Sequence, residues 1–336
     1  MTTTALDMLS ASTPKWRRWL RHHGWTVGVW ILFLVLIFWY SALIPKFGLF
    51  QVASIVNNGS PFVFLAIGQA VIVIAGGIDL GVGGMLVLAN VTAARLMEGQ
   101  SFEMTLLTAV AILIAAAAIN GSVGWIINVS KVPDIVITLG SLFVFQGMAL
   151  AVLPNPGGAT SEGFRWIFTG SKVGIGSNPW PAIVMIVVPV LIMAWWMSKT
   201  RSGLSLYAMG SDRNAAYLSG IRAARTKIIS YAVGGAFAAF AGLATTAIAG
   251  RGNANTVGGN LTLNAVAAIV LGGVALTGGV GTVIAVVPAG LTLFFLSPIL
   301  TAMGVDPSRG QIIQGVLIVV VMMIAGLIEW RRQRTS

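Results

Sequence analysis

Long apolar runs separated by short polar or glycine-rich interruptions occupy almost the whole chain. A helix that crosses a bilayer needs about 20 apolar residues, and the runs predict spans near Trp25–Leu43, Pro61–Ala75, Leu80–Met97, Met104–Asn128 and Ile135–Leu153. Five more follow near Trp180–Met197, Ile228–Ala249, Leu263–Ala275, Val280–Leu296 and Ile312–Ile328. The runs are continuously apolar rather than alternating, which excludes the strands of an outer-membrane barrel. The pattern therefore predicts an all-α polytopic membrane protein of about ten transmembrane helices, some short or glycine-broken. An even number of spans puts both termini on one side. Residues 1–24 and 329–336 read as tails, and 25–328 as a single membrane domain.

The interruptions differ in kind. Pro61–Ala75 reads as short and runs into Gly76-Gly77-Ile78-Asp79-Leu80-Gly81-Val82-Gly83-Gly84. Leu263–Ala275 contains Gly272-Gly273 and is followed by Gly278-Gly279. Broken helices at membrane depth are tolerated only where they are buried in protein or line a cavity, and in transporters they mark translocation paths. Close packing is the competing reading, because small residues let backbones approach; Gly234, Ala238 and Gly242 need no more than that. Pro189 and Pro288 fall inside spans and predict kinks. The segment between Pro154 and Pro179 is rich in glycine and reads as irregular.

The stretch Ser198–Lys227 is charged yet looks ordered. Ser211 and Asp212 are suited to cap a short helix through Asn214, Ala215, Ala216 and Leu218, and Gly220 supplies the stop. A capped helix between two spans is what a docking element needs; an idle amphipathic loop on the bilayer surface is the alternative.

Composition narrows the class. Of 336 residues, 57% are hydrophobic and 9% charged, where soluble domains carry roughly 25% charged residues. The net charge of +11 belongs to the loops retained in the cytoplasm, not to nucleic-acid binding. Lys15, Arg17, Arg18, Arg21, Lys131, the cations of the 198–227 loop, and Arg331, Arg332 and Arg334 fall on one side of the ten-span topology. Lys46, Arg95, Arg165, Lys172, Arg251 and Arg309 fall on the other. The excess places both termini and the 198–227 loop in the cytoplasm. There are no cysteines, and His22 and His23 are adjacent rather than helically spaced, so no metal site is expected.

No catalytic constellation emerges. The chain lacks a Gly-x-x-x-x-Gly-Lys-Ser/Thr phosphate loop. Ion-coupled transporters place ionisable residues within spans, and here the acids lie at span ends or in loops. Asp79 comes nearest, and a role capping the following helix is the plainer expectation. A transporter without either energy source draws on a partner, and the basic loop is the natural contact.

Four segments carry a family resemblance. Gly-Gly-Ile-Asp-Leu at 76–80 is similar to a family's GGIDLSVG, and Lys131-Val132-Pro133 through Thr138-Leu139-Gly140 follows in order. Tyr207-Ala208-Met209-Gly210 with Ala215-Ala216-Tyr217-Leu218-Ser219-Gly220-Ile221 is like YAVGGNPEAARLSGI. Ala265 through Gly273, then Gly278-Gly279-Val280-Gly281-Thr282, completes the set. The chain resembles the permease subunits of bacterial ATP-binding-cassette importers for sugars, the ribose, xylose and galactose group.

The resemblance implies a multi-pass inner-membrane protein that moves solute inward by alternating access and is not itself an enzyme. It implies a cytoplasmic ATP-binding subunit that holds the ATP and Mg, a periplasmic or extracellular sugar-binding protein, and a second permease copy or paralogue. Coupling to the ATPase would then fall to Asp212, Arg213, Ala215, Ala216, Ser219 and Gly220. The gate or path would fall to Gly76, Gly77, Asp79, Leu80, Gly272 and Gly273. Polyol or nucleoside import stays open within the class, and an ion-coupled secondary transporter outside it. The chain departs from the pattern at Gly81, where Ser is usual. Asp134-Ile135 replaces Pro-Phe, setting an unpaired acid at a span entrance. Leu261-Thr262-Leu263-Asn264 stands where Tyr-Glu-Leu-Asp is usual, exchanging two carboxylates for neutral side chains.

Overall fold

The computed structural model describes residues 15–256, 258–306, 308–316, 319–320 and 323, and side chains from Gly24 onward. The described residues form helices without strands, apart from an isolated antiparallel bridge between Gly157 and Gly252. In chain order these are α1 (Lys15–Leu43), α2 (Leu49–Ile74), α3 (Val82–Met97), α4 (Phe102–Ser130), α5 (Asp134–Val152) and α6 (Glu162–Thr169). Then come α7 (Trp180–Lys199), α8 (Arg201–Ser211), α9 (Arg213–Leu218), α10 (Ala223–Ala249), α11 (Gly258–Leu271) and α12 (Val283–Ala302).

Among the described residues, seven helices are long and apolar enough to cross a membrane: α1 from Gly24, α2, α4, α5, α7, α10 and α12. Two shorter apolar helices, α3 and α11, have 16 and 14 residues. At 1.5 Å per residue these reach only about 24 and 21 Å, short of a hydrocarbon core of about 30 Å. The span expected at Ile312–Ile328 and the basic C-terminal tail extend beyond the described residues, as do the side chains of the N-terminal cations and histidines.

Pro61–Ala75 is not a short span. It is the second half of α2, which starts at Leu49 and runs for 26 residues with Pro61 inside. The hydrophobic pattern predicts a span that begins only at Pro61, but the polar side chains before it bond back to their own helix. Asn57 Nδ2 donates to the Ala53 carbonyl at 2.8 Å and Asn58 Nδ2 to that of Ser54 at 2.9 Å. Pro61 has no N–H for the carbonyl four residues earlier; Ser60 Oγ supplies that bond to Asn57 O at 2.8 Å.

Burial sorts the helices. α2 and α3 are mostly buried, and α10 packs most extensively against α4, α2 and α3. α12 closes the core against α2, with α1 outside it. By contrast α1, α4, α5 and α7 leave most apolar positions open, Phe38 at 76% and Phe143 at 68% exposure. Such contiguous apolar surface is untenable in water and natural against lipid.

The connection between α5 and α7 is not irregular throughout. Ser161 Oγ accepts from Phe164 N and caps α6, which buries Phe164 and Phe168. Phe168 lies 5.7 Å from Phe240 of α10 between ring centroids. The Gly157–Gly252 pairing, a bond from Ala159 N to Ala94 O and one from Arg165 Nη2 to Ile248 O join this connection to the ends of α3 and α10. The glycine breaks and the 198–227 segment gather at the opposite ends of the same helices.

Candidate functional site: two glycine breaks against a capped helix

α2 and α11 end alike. Gly76 (φ +77°) and Gly273 (φ +79°) adopt left-handed backbone, which side chains resist and glycine does not. Gly76 N bonds Val73 O and Gly77 N bonds Ile72 O, while Gly273 N bonds Val270 O and Val274 N bonds Ile269 O. This is the doubly bonded glycine stop that satisfies the last carbonyls of a helix. The first break then runs through Asp79 to α3, and the second through Gly278, Gly279 and Gly281 to α12.

The breaks touch each other, with Gly279 N donating to Ile74 O at 2.9 Å. Both abut α8. A Cβ built on Gly210 would meet Ile74 O and Gly279 N, both backbone atoms that cannot swing aside. Tyr207 of α8 donates its hydroxyl to Gly281 O at 3.2 Å. Burial holds that hydroxyl above the ordinary tyrosine range, so it remains a donor at physiological pH. Gly210→Ala should therefore cost about 1–3 kcal/mol of stability through overpacking. The same change at Gly147, where a Cβ meets nothing within 4 Å, should cost less than about 0.5 kcal/mol. Thermal unfolding of the solubilised protein measures both.

α9 projects from this cluster. Asp212 Oδ1 accepts from Asn214 N at 2.8 Å and Ala215 N at 3.0 Å, capping the helix. Ser219 Oγ donates to Ala215 O at 2.9 Å, and Gly220 (φ +81°) ends the helix with bonds to Tyr217 O and Ala216 O from its own N and that of Ile221. Arg213 and Ala215 are exposed, whereas Ala216 is buried and faces inward. Tyr217 and Leu218 are 72% and 85% exposed; sequence reasoning passed over this apolar tip, which two large side chains beside Gly220 could have signalled.

Asp79 is fully buried, and it does not cap α3. The N-cap position is Gly81, and Asp79 Oδ1 instead accepts from Gly81 N at 2.6 Å, before the helix begins. Leu80 is held from the other break's helix, since Thr262 Oγ1 donates to Leu80 O at 3.1 Å and accepts from Gly83 N at 3.0 Å. Thr262 is thus a clasp between α11 and the start of α3. Gly272 packs on Val286 of α12, and Gly273 on Trp25, whose Nε1 donates to Leu271 O at 2.9 Å.

Asp134 is not unpaired. Lys227 Nζ lies 2.6 Å from Asp134 Oδ1, with the two side chains 13% and 18% exposed. Tyr231 Oη donates toward Asp134 Oδ2 at 2.9 Å and Ile78 O at 3.0 Å. An acid entering an apolar run could not be matched to its cation from sequence, because Lys227 and Tyr231 lie on α10, more than ninety residues away. Their spacing of four puts both on one face of that helix.

Of the expected gate residues, Gly76 abuts Gly210 of the 198–227 segment, whereas Gly272 and Gly273 pack on α12 and α1; the second break reaches that segment through Gly278, Gly279 and Gly281 instead. Two cavities lie elsewhere. One of about 250 Å³ sits between α2, α3 and α10, lined by Asn58, Phe62, Leu65, Asn90, Thr245 and Leu261. A more open groove of about 680 Å³ lies beyond Phe62, with Tyr40, Asn264, Phe294, Ser297 and Gln314. Asn264, one of the neutral replacements, faces this groove.

Residues 51–322 match the profile of the family described as branched-chain amino acid transport system / permease component. The chain belongs to this permease family. The ribose import permease protein RbsC of Escherichia coli K12 is 32% identical to this permease over 302 residues, covering 88% of this chain and 91% of the relative. The galactose/methyl galactoside import permease protein MglC of Salmonella typhimurium is 29% identical over 334 residues, 95% and 98% of the two chains. The autoinducer 2 import system permease protein LsrC of Enterobacter sp. is 34% identical over 266 residues, 78% and 74% of the two. No solved structure matches it. Family membership and the seven long apolar helices make the protein a multi-pass membrane permease.

Proposed function

We propose that this permease is the membrane subunit of an ATP-driven importer for a sugar or sugar-like solute in the bacterial inner membrane. One observation carries the reading: a short capped helix with an exposed apolar tip, α9, is tied through α8 and α10 to both glycine breaks. A partner that grips the Tyr217–Leu218 tip moves both breaks at once. The sequence carries no Gly-x-x-x-x-Gly-Lys-Ser/Thr phosphate loop, and in this reading ATP and Mg belong to a cytoplasmic ATP-binding subunit. Solute is delivered by a periplasmic or extracellular binding protein, and a second copy or paralogue completes the path.

The sugar class follows the ribose, galactoside and autoinducer relatives. The cation excess puts the breaks, α9 and both termini in the cytoplasm, with the segment beyond 311 as a tenth span. Exposed Tyr217 and Leu218, with Asp212, Arg213, Ala215, Ser219 and Gly220 shaping the helix, form the coupling surface; Ala216 seats it from below. Gly76, Gly77, Asp79, Leu80, Gly272 and Gly273 form the hinge of the inner gate.

Co-purification from membranes tests the reading. An ATPase and a solute-binding protein should accompany the permease, and the reconstituted assembly should take up solute only with ATP. Uptake driven by a proton or sodium gradient through the permease alone would sink it.

A further inference from the structure

The Tyr231 hydroxyl has one proton and two acceptors, Ile78 O at 3.0 Å and Asp134 Oδ2 at 2.9 Å. The acceptors belong to different parts of the machinery. Ile78 lies inside the first glycine break, next to Gly77, where an added Cβ would lie 3.2 Å from the Tyr231 ring and 3.3 Å from Asp134 Oδ2. Asp134 opens α5, and its other oxygen is held by Lys227 in the first turns of α10. α10 begins only a few residues after α9 ends. Asp79, the other acid beside this cluster, is buried with Oδ1 on Gly81 N and Oδ2 without a partner among the described residues.

We propose that Asp134, Lys227 and Tyr231 are positioning residues forming a proton-sharing latch that sets whether the first glycine break is held or free. A carboxylate draws a hydrogen bond about twice as strongly as a neutral carbonyl. Paired with Lys227, Asp134 has part of its charge answered, and the tyrosine proton is shared with Ile78 O. When a movement of α9 and the root of α10 draws Lys227 away, the carboxylate takes the proton for itself and Ile78 O is released. The break then loses its tie to α10. The latch converts a displacement of the coupling helix into freedom of the gate without any side chain crossing the membrane. It rests on the coupling role proposed for α9 but has a signature of its own.

That signature is a pair of opposite effects. The natural chain has no cysteine, so Leu80→Cys in the full-length permease reports the break through its rate of labelling by a water-soluble maleimide. Tyr231→Phe removes the tie to Ile78 and should speed labelling about fivefold, the equilibrium worth of one hydrogen bond. The double variant Asp134→Asn/Lys227→Met removes both charges together, which spares the fold an unpaired ion. It leaves the tyrosine proton no carboxylate to prefer, holds it on Ile78 O, and should slow labelling about twofold or more. A structural role alone would loosen the break in both variants. Changes of the same sign, or none in either, overturn the latch. In the reconstituted assembly Tyr231→Phe should also lower solute taken up per ATP hydrolysed. If the natural permease binds no ATPase at all, the coupling reading falls while opposite labelling shifts leave the latch standing.

Discussion

Asp134→Ala should lower the unfolding free energy of the solubilised permease by about 2–3 kcal/mol, between the loss expected for an exposed ion pair and that for a fully buried one. The magnitude follows from what is left behind. Lys227 lies 2.6 Å from Asp134 with its side chain 13% exposed, so its ammonium would lose its counter-charge where water reaches only part of it. Tyr231 would lose one of its two acceptors as well. Exposed pairs behave differently: Arg95–Glu98, with side chains 63% and 51% exposed, should change stability by no more than about 1 kcal/mol when Glu98 is replaced. Adding Lys227→Met to Asp134→Ala should recover most of the loss, because the orphaned charge goes with it. Denaturant unfolding followed by tryptophan fluorescence measures all of these, and a single-variant loss below about 1 kcal/mol would show that the pair does not hold α5 to α10.

Gly220→Val should cut solute-linked ATPase activity in the reconstituted assembly about tenfold or more while the permease still inserts into membranes. Gly220 sits at φ +81° with nothing within 4 Å of a built Cβ. Valine would therefore meet no neighbour, and its cost is conformational, about 1–2 kcal/mol for any side chain in left-handed backbone and more for a β-branched one. That lies far from the core and leaves the spans intact. It is enough, at 1.4 kcal/mol per tenfold, to depopulate the end of α9 by roughly an order of magnitude. Losing the bonds from Gly220 N and Ile221 N to Tyr217 O and Ala216 O would free the exposed tip. Gly220→Asn should keep substantial activity, because asparagine tolerates this backbone. Stimulation of Gly220→Val by binding protein and solute at the natural level would remove α9 from the coupling path.

Much of the architecture was legible because membrane burial writes itself into composition. A run such as Trp180–Met197 has one physical explanation, and α7 spans Trp180–Lys199. The capped helix was legible for a similarly local reason: Asp212 reaches amides two and three residues away, and Gly220 sets its own backbone. The reading failed where polar side chains served their own helix. Asn57, Asn58 and Ser60 stand before the apolar run that begins at Pro61, yet each bonds a carbonyl three or four residues back and carries α2 through Pro61. Asp79 was misplaced by a residue or two because a buried carboxylate satisfies the nearest free amide, Gly81 N, whether or not that residue is the cap.

By itself, then, the sequence determined much of what rests on residues within a few positions of one another, the polar side chains of α2 and Asp79 excepted: which stretches are apolar, where α9 starts and stops, and which family the motifs resemble. Only the tertiary structure decided that the two glycine breaks touch, that Gly210 wedges against both, and that Asp134 has Lys227 and Tyr231 for partners. The reason is physical. Local structure is set by bonds within one turn of chain, whereas these contacts join segments some 65 to 200 residues apart, whose meeting depends on how every intervening helix packs.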